Sequence, residues 1–473
     1  LNKLLVKNCS WVYTLDPENR VYESVNILIE GNRIKAIGPG VGEGTEEVID
    51  GGGKLVIPGM VNTHHHLYQT LTRCVPRVQD SELFEWLVNL YEIWRELTPE
   101  AVYWSTLLGL GELLLTGCTL TTDMYYVFPS KTTGELLDEQ FKAAGEIGMR
   151  FIPCRGSMSC GHSKGGLPPD DVVQDDNVIL ADMERLIKKY HDPSPMSMTR
   201  LALGPCSPFS VTPQLMKDTA QLARKHGLRI HTHLAETKDE EKYCAEKFGM
   251  RPFELMESVG WVGRDVWFAH SIYVNEREIR RMGETGTGVA HCPVSNLRLG
   301  SGIAPVPEML AASVPVGLAV DGSASNDSSD MLGEVRTCLL AHRYRTGTSS
   351  MTVETAMRIA TQGGADVLGF PEAGVIQEGK AADLVLIDMN QLPYAGALHD
   401  PLAAIVLAGA SHVVDTNIVN GRVVVKNGRL ALVDQDEILR NANRISREMV
   451  ERAEKRTGIE FLKKPALIAG ASH

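Results

Sequence analysis

Hydrophobic and polar positions alternate through the first 50 residues, most clearly in WVYTLD and VYESVNILIEGNRIKAIG. Period-two alternation punctuated by Asp-Pro and Glu-Gly-Asn predicts antiparallel strands and hairpins. The same texture returns near the end in ADLVLIDM and HVVDTNIVNGRVVVKNGRLAL. There Asn420-Gly421 and Asn427-Gly428 mark tight hairpin turns. Two β-rich flanks around a different middle predict one small β-sandwich built from both chain ends, over residues 1–58 and 372–433.

The middle has another rhythm. Short apolar runs alternate with helical stretches such as TPEAVYWSTLLGLGELLLTG and PQLMKDTAQLARKHG. Eight candidate strands stand out: GMVNTHH, CTLTTDMY, MRFIPCR, RLALGPCS, LRIHTHLAE, VWFAHSI, GVAHCP and VGLAVDG. Repeated strand–helix units predict a parallel sheet, and eight of them make an α/β fold of (β/α)8 TIM-barrel type over residues 59–371. Residues 189–200 read as a loop before the fourth strand. From 434 to 473 a helical tail is expected, with DEILRNANRISREMVERAEKR as an amphipathic helix on the surface or at an interface.

Composition then narrows the partners. Against 47 basic residues stand 59 acidic ones, a net charge of −12. That disfavours nucleic acid or an anionic membrane as partner, because both select basic surfaces. The nine Cys are widely spaced and include no CxxC. A reducing, cytoplasmic setting is therefore expected, not a disulfide framework. The N-terminal LNKLLVKNCSWVYTL lacks the apolar run and cleavage site of a signal peptide. No apolar run approaches the roughly 18 residues that a membrane span needs. The chain starts at Leu1 and not at Met, so it is read as trimmed.

Candidate chemistry sits where a barrel puts it, at the C-terminal ends of strands. Of 14 His, three close the first strand as His64-His65-His66. Side chains alternate along a strand, so His64 and His66 share a face about 6.6 Å apart, close enough to converge on one metal ion. The fifth strand ends in HTHLAE, which offers His233 and, three residues on, Glu236. His231 shares the face of His233 one layer deeper and reads as a barrel-interior residue. The sixth strand ends in His270 and the eighth in Asp321. A buried, unpaired Asp is costly, so Asp321 needs a metal, a His or loop donors. For His291 and Cys292 on the seventh strand, packing or support of the site is the expected role.

Taken singly, each of these residues also suits a packed His or a loop-capping Asp. Together, His64, His66, His233 and Asp321 form a four-ligand set with an open position for water, and such a metal lowers the pKa of bound water toward about 7. The fourth strand ends without a Lys, which favours one metal over a two-metal site bridged by a modified Lys. Zinc suits three His and one Asp, and iron or manganese accepts similar sets.

Through IPGMVNTHHH, HTHLAET, AHSI, HCPVSN, VDGSASND and EGKAADLVLID, nearly the whole chain resembles the amidohydrolase superfamily, in its mononuclear nucleobase-deaminase branch. The resemblance implies His64, His66, His233 and Asp321 as metal ligands. It also implies Glu236 as proton shuttle and His270 in contact with the attacking water, with Asp321 and His270 helping to deprotonate it. The stretches HHHLYQTLTR, RGSMSCG, GGLPPDDVVQ, GPCSPFSVTP and HTHLAETKDEE look most like the 8-oxoguanine deaminase family, near the isoxanthopterin deaminases and triazine hydrolases. The implied activity is hydrolytic deamination of a purine-like heterocycle, 8-oxoguanine to urate and ammonia. The alternatives are a triazine aminohydrolase or chlorohydrolase, and a deaminase of isoxanthopterin, guanine or cytosine. Both Glu236 and Asp321 are present, which favours deamination over dechlorination, and both Glu236 and His270 argue against a non-catalytic metal-binding barrel. Zinc deaminases with an HxE…PCxxC signature have a different fold, and this chain has HxxE without PCxxC.

Candidate substrate contacts are Gln69, Arg155, Cys206 and Tyr125, with Trp86 and Trp94 as further flat surfaces for a ring. Gln69 resembles the amide that reads a base carbonyl and amine. Arg155 suits an oxo group or a structural salt bridge. The expected partner is a small heterocycle, and the resemblance implies a homo-oligomer.

Overall fold

A computed structural model describes residues 2–132, 135–409 and 413–465. Eight parallel strands form the middle of the molecule: β1 (Met60–Asn62), β2 (Cys118–Tyr125), β3 (Arg150–Ser157), β4 (Ala202–Pro205), β5 (Ile230–Leu234), β6 (Val266–His270), β7 (Gly288–His291) and β8 (Val316–Leu318). Seven of the eight apolar runs read from the sequence contain one of them, and the third, MRFIPCR, covers all but the last two residues of β3. Neighbours in sequence are neighbours in the sheet, as strand–helix–strand units require. The sheet closes where β8 meets β1. Thr63 donates to the Leu318 carbonyl from both its backbone N (3.1 Å) and its hydroxyl (3.0 Å), and Val320 N donates to Asn62 Oδ1 at 3.0 Å. Above that seam the short strand Asp321–Gly322 pairs in parallel with His65–His66. The last strand end is thereby fastened to the first.

Both chain ends meet in a second sheet of nine strands. Lys3–Tyr13, Val21–Glu30, Arg33–Gly38, Glu47–Asp50 and Lys54–Pro58 come from the N-terminal side. Leu384–Asp388, Thr416–Val419, Arg422–Lys426 and Arg429–Leu430 come from the other. They join where Leu384–Asp388 runs antiparallel to Lys54–Pro58. Val6, Val12, Ile27, Val56, Leu384 and Ile418 bury their own small apolar core there. Both Asn-Gly pairs turn with positive φ at each residue, 52° and 78° at Asn420-Gly421 and 53° and 69° at Asn427-Gly428. That is the backbone a two-residue hairpin needs. The buried Arg150 guanidinium of β3 lies 3.1 Å from Asp383 Oδ1, beside the second sheet.

Helices cover the barrel. Those used below are α1 (Leu83–Trp94), α2 (Pro99–Leu115), α3 (Leu136–Ile147), α4 (Asp176–Tyr190), α5 (Met331–Thr346) and α6 (Gln435–Thr457). Helix α4 takes in Lys189 and Tyr190, at the start of the loop expected over 189–200. Tyr190 stacks on Phe141 of α3 at 4.0 Å between ring centroids, and its hydroxyl donates to Asp138 Oδ1. These contacts carry the helix one residue past the run of Lys. Asp434 caps α6. Ile438, Ala442, Ile445 and Met449 recur at helical spacing and are buried against the protein's own helices α1 and α2. Residues 466–473 of the expected tail lie outside the described residues. Among the described residues no helix is long and apolar enough to cross a membrane.

Candidate metal centre and active site

Side-chain alternation sets the first two candidate ligands. His64 and His66 point to the barrel interior, while His65 turns away to Ser329 Oγ at 3.0 Å. His233 rises from the end of β5 toward His66, with the two Nε2 atoms 3.1 Å apart. Because its strand pairs with His65–His66, Asp321 stands beside them. Its Oδ1 lies 3.3 Å from His64 Nε2 and 3.5 Å from His66 Nε2.

Hydrogen bonds on the far side of each ring fix which nitrogen faces inward. His66 Nδ1–H donates to the Met124 carbonyl at 2.8 Å, and His233 Nδ1–H donates to the Cys206 carbonyl at 2.6 Å. His231 Nδ1–H donates to the Trp267 carbonyl at 2.9 Å. Its Nε2 therefore accepts from His64 Nδ1–H at 2.7 Å. All three rings are left with an Nε2 lone pair aimed at one point, and His64 Nε2 has no hydrogen-bond partner. Burial holds His64, His66 and His233 below the ordinary imidazole pKa, in the neutral form that a metal requires. Asp321 is the reverse case. Burial would raise its pKa, but the adjacent imidazoles, that of His64 first, hold it well below the usual range. Three lone pairs and a carboxylate converging without a donor repel one another unless a cation sits between them. The donor set fits a divalent ion, with zinc the natural size and ligand type.

The strand ends then bend sharply. Ala235, His270 and Asp321 have φ of 52°, 70° and 63°. This left-handed conformation is uncommon outside glycine and gathers at functional sites. The turn at Ala235 places Glu236 over the metal point, with its Oε2 3.5 Å from His270 Nε2. His270 Nδ1–H donates to Asn296 Oδ1 at 2.8 Å, which orients the ring. Asp321 Oδ2 accepts from Ser295 Oγ at 2.6 Å and from Ser325 Oγ at 3.3 Å. Burial pushes the Glu236 carboxyl up to about 7. Burial alone would lower His270, but the charges of Glu236 and Asp321 bring it above its ordinary value. A carboxyl poised near neutrality can give a proton and take one back.

Above these groups opens a cleft. Gln69, Trp86, Tyr91, Tyr126, Cys206 and Phe209 line it with Glu236 and His270. Gln69 presses against the strand Asp321–Gly322 so closely that a Cβ on Gly322 would sit 1.9 Å from its Oε1. Of the expected substrate contacts, Gln69, Cys206 and Trp86 reach the cleft. Arg155 and Tyr125 do not. Arg155 donates to Asp182, Gln174 and the Gly156 carbonyl and lies over the Phe128 ring. Tyr125 packs edge-on against Tyr68 and Phe128. The two are register partners on β2 and β3 and face the helices, not the lumen. Trp94 is also outside, with its indole N–H donating to Thr72 Oγ1 at 3.1 Å.

Some working residues escaped the sequence reading. Glu240 accepts from the backbone N–H of Ala235 at 2.9 Å and of Glu236 at 3.0 Å, so it holds the bend that aims Glu236. Thr237-x-x-Glu240 has capping-box spacing, a signal that was there to be read. Tyr126, Ser295 and Asn296 were equally passed over.

The amidohydrolase family model matches residues 55–424. The chain is 48% identical over 380 residues to 8-oxoguanine deaminase of Pseudomonas aeruginosa, covering 80% of this chain and 84% of that one. It is 35% identical over 452 residues to hydroxydechloroatrazine ethylaminohydrolase of Pseudomonas sp. strain ADP, covering 92% and 94%. A crystal structure of atrazine chlorohydrolase from Arthrobacter aurescens TC1 complexed with zinc superposes with a TM-score of 0.90 at 33% identity, covering 94% of this chain and all of the other.

Proposed function

The chain belongs to the amidohydrolase family, and from that membership we propose that it is a metal-dependent aminohydrolase that converts 8-oxoguanine to urate and ammonia. The observation that carries the chemistry is Glu236, a buried carboxyl near neutrality, set 3.5 Å from His270 at the rim of a four-donor metal point. A barrel that merely held metal would need neither group. The 48% identity to an 8-oxoguanine deaminase supports the choice of substrate.

His64, His66, His233 and Asp321 would hold one divalent ion, zinc in the first place. Bound there, such an ion acidifies water and stabilises negative charge that develops on oxygen. Asp321 and His270 take up the proton as water adds to the ring carbon that bears the amine. Glu236 delivers a proton to the neighbouring ring nitrogen. Once ionised, it accepts the proton of the newly added hydroxyl and passes it to the departing amine, which leaves as ammonia while the carbonyl forms, and the proton held at Asp321 and His270 returns to Glu236 to close the cycle. Gln69 has a buried Oε1 without a partner and would accept a ring N–H. Trp86, Tyr126 and Phe209 supply flat walls, and Cys206 closes the pocket floor. The 35% identity to a triazine ethylaminohydrolase favours, as the second reading, release of an alkylamine from a triazine by the same groups.

The test is a panel of 8-oxoguanine, isoxanthopterin, guanine, cytosine, hydroxyatrazine and atrazine with metal-replete protein, scored for ammonia, alkylamine and chloride. Ammonia and urate from 8-oxoguanine, with kcat/KM about tenfold or more above every other compound, is the expected result. A higher kcat/KM on a triazine would move the assignment to the second reading. No turnover of any compound by protein with metal bound would overturn both.

A further inference from the structure

A second set of ligand atoms lies outside the catalytic centre. His291 ends β7, and Cys338 and His342 stand four residues apart on α5, so one face of that helix presents both. His291 Nε2 and His342 Nε2 are 3.1 Å apart. Cys338 Sγ and one ring nitrogen from each of the two His all lie within 4.8 Å of one another, and all three residues are buried. Two imidazoles on one tetrahedral zinc, with bonds of about 2.05 Å, hold their nitrogens about 3.3 Å apart. The observed spacing is already close to that.

We propose that His291, Cys338 and His342 form a second, non-catalytic site for a borderline or soft metal ion, with zinc as the physiological type. Thiolate with imidazole selects such ions over magnesium or calcium. Burial keeps both rings neutral, His342 down to about 4 and His291 well below its ordinary value. Each ring therefore has one nitrogen lone pair to offer. Burial also pushes the Cys338 thiol up, so binding must expel its proton and strengthens as pH rises. Neither His has a hydrogen-bond partner at Nδ1, whereas the Nδ1 atoms of His64, His66 and His233 are all engaged. Loss of such outer partners typically weakens a site about 10- to 100-fold, so this ion leaves before the catalytic one on chelation.

Cobalt is the probe. Full-length protein is stripped with a chelator, reloaded with Co2+ and freed of excess. The expected result is two ions per chain and a thiolate-to-cobalt charge-transfer band in the near ultraviolet. The four-donor set at the catalytic point contains no thiolate. Cys338→Ala should remove the band and one ion, whereas Cys206→Ala, which changes the thiol of the catalytic cleft, should keep the band. His342→Gln serves as a second variant, with near-ultraviolet circular dichroism to verify folding. Wild-type protein without the band, or a band that survives Cys338→Ala, overturns the proposal whether or not either variant folds. A failure of the catalytic reading would appear separately, as loss of turnover with the band intact.

Discussion

His231 Nε2 lies 2.7 Å from His64 Nδ1, and the other nitrogen of His231 donates to the Trp267 carbonyl. This two-link relay dictates the tautomer of His64 from one layer below the metal point. His231→Ala should therefore release the ring of His64 and weaken metal binding about 10- to 100-fold. Competition against a chromophoric chelator measures that directly. Metal affinity equal to wild type would mean that packing alone orients His64.

Glu236 separates chemistry from metal binding. Glu236→Gln keeps the shape of the side chain but can neither give nor regain a proton. Turnover should fall by about 10²–10⁴-fold or more, while metal content by elemental analysis stays at the wild-type level. Glu240→Gln is the milder companion. An amide presents only one acceptor oxygen to the N–H groups of Ala235 and Glu236. A fall in kcat of about tenfold with unchanged KM is expected from steady-state kinetics. Full activity in Glu236→Gln with metal bound would remove the assigned proton shuttle.

Residues that the chain places by alternation and spacing were legible in advance. The eight strands follow from apolar runs at strand–helix intervals, and His-x-His at the end of the first strand follows from period two. Parity failed at one point, and both errors share it. CTLTTDMYYVF offers two adjacent tyrosines, and nothing local says which faces the lumen. Tyr126 does, while Tyr125 and its register partner Arg155 face outward together. The support of Asp321 by Ser295, and of His270 by Asn296, was not legible because each contact joins a strand end to the short helix Pro293–Arg298, 26 residues away in the chain. Closure of the barrel creates that neighbourhood, and no local pattern encodes it.

Gln69 and Arg155 make a matched pair of opposite outcomes. Gln69 lines the cleft with a free amide oxygen, so Gln69→Leu should lower kcat/KM about 10-fold or more, mostly through KM, and leave thermal stability near wild type. Arg155 is fully buried and ties β3 to Asp182 of α4. Arg155→Met strands those acceptors and should cost on the order of 3 kcal/mol in chemical denaturation, with KM unchanged in whatever protein folds. An altered substrate preference in Arg155→Met would contradict its placement outside the cleft.

Asp138 of α3 offers a pH signature for the ion-pair network that continues from Asp182. Arg185 bridges Asp182 and Asp138, and Lys189 and Tyr190 also bond Asp138. Burial would raise its pKa, but hydrogen bonds from Arg185, Lys189 and Tyr190 bring it down to about 2. A folded pKa below the ordinary value near 3.8 means that folding favours the ionised form. The associated stability is fully present above the unfolded pKa and is lost as pH falls from about 4 through about 2. Partial solvent screening limits it to about 1–2 kcal/mol. Urea unfolding of wild type and Asp138→Asn should show that gap undiminished at pH 7 and pH 5. The gap should narrow below about pH 4 as the wild-type carboxylate takes up its proton and the two chains become alike in charge. A gap that stays constant down to pH 3, or widens, would mean that the side chain acts through shape and packing and not through its charge.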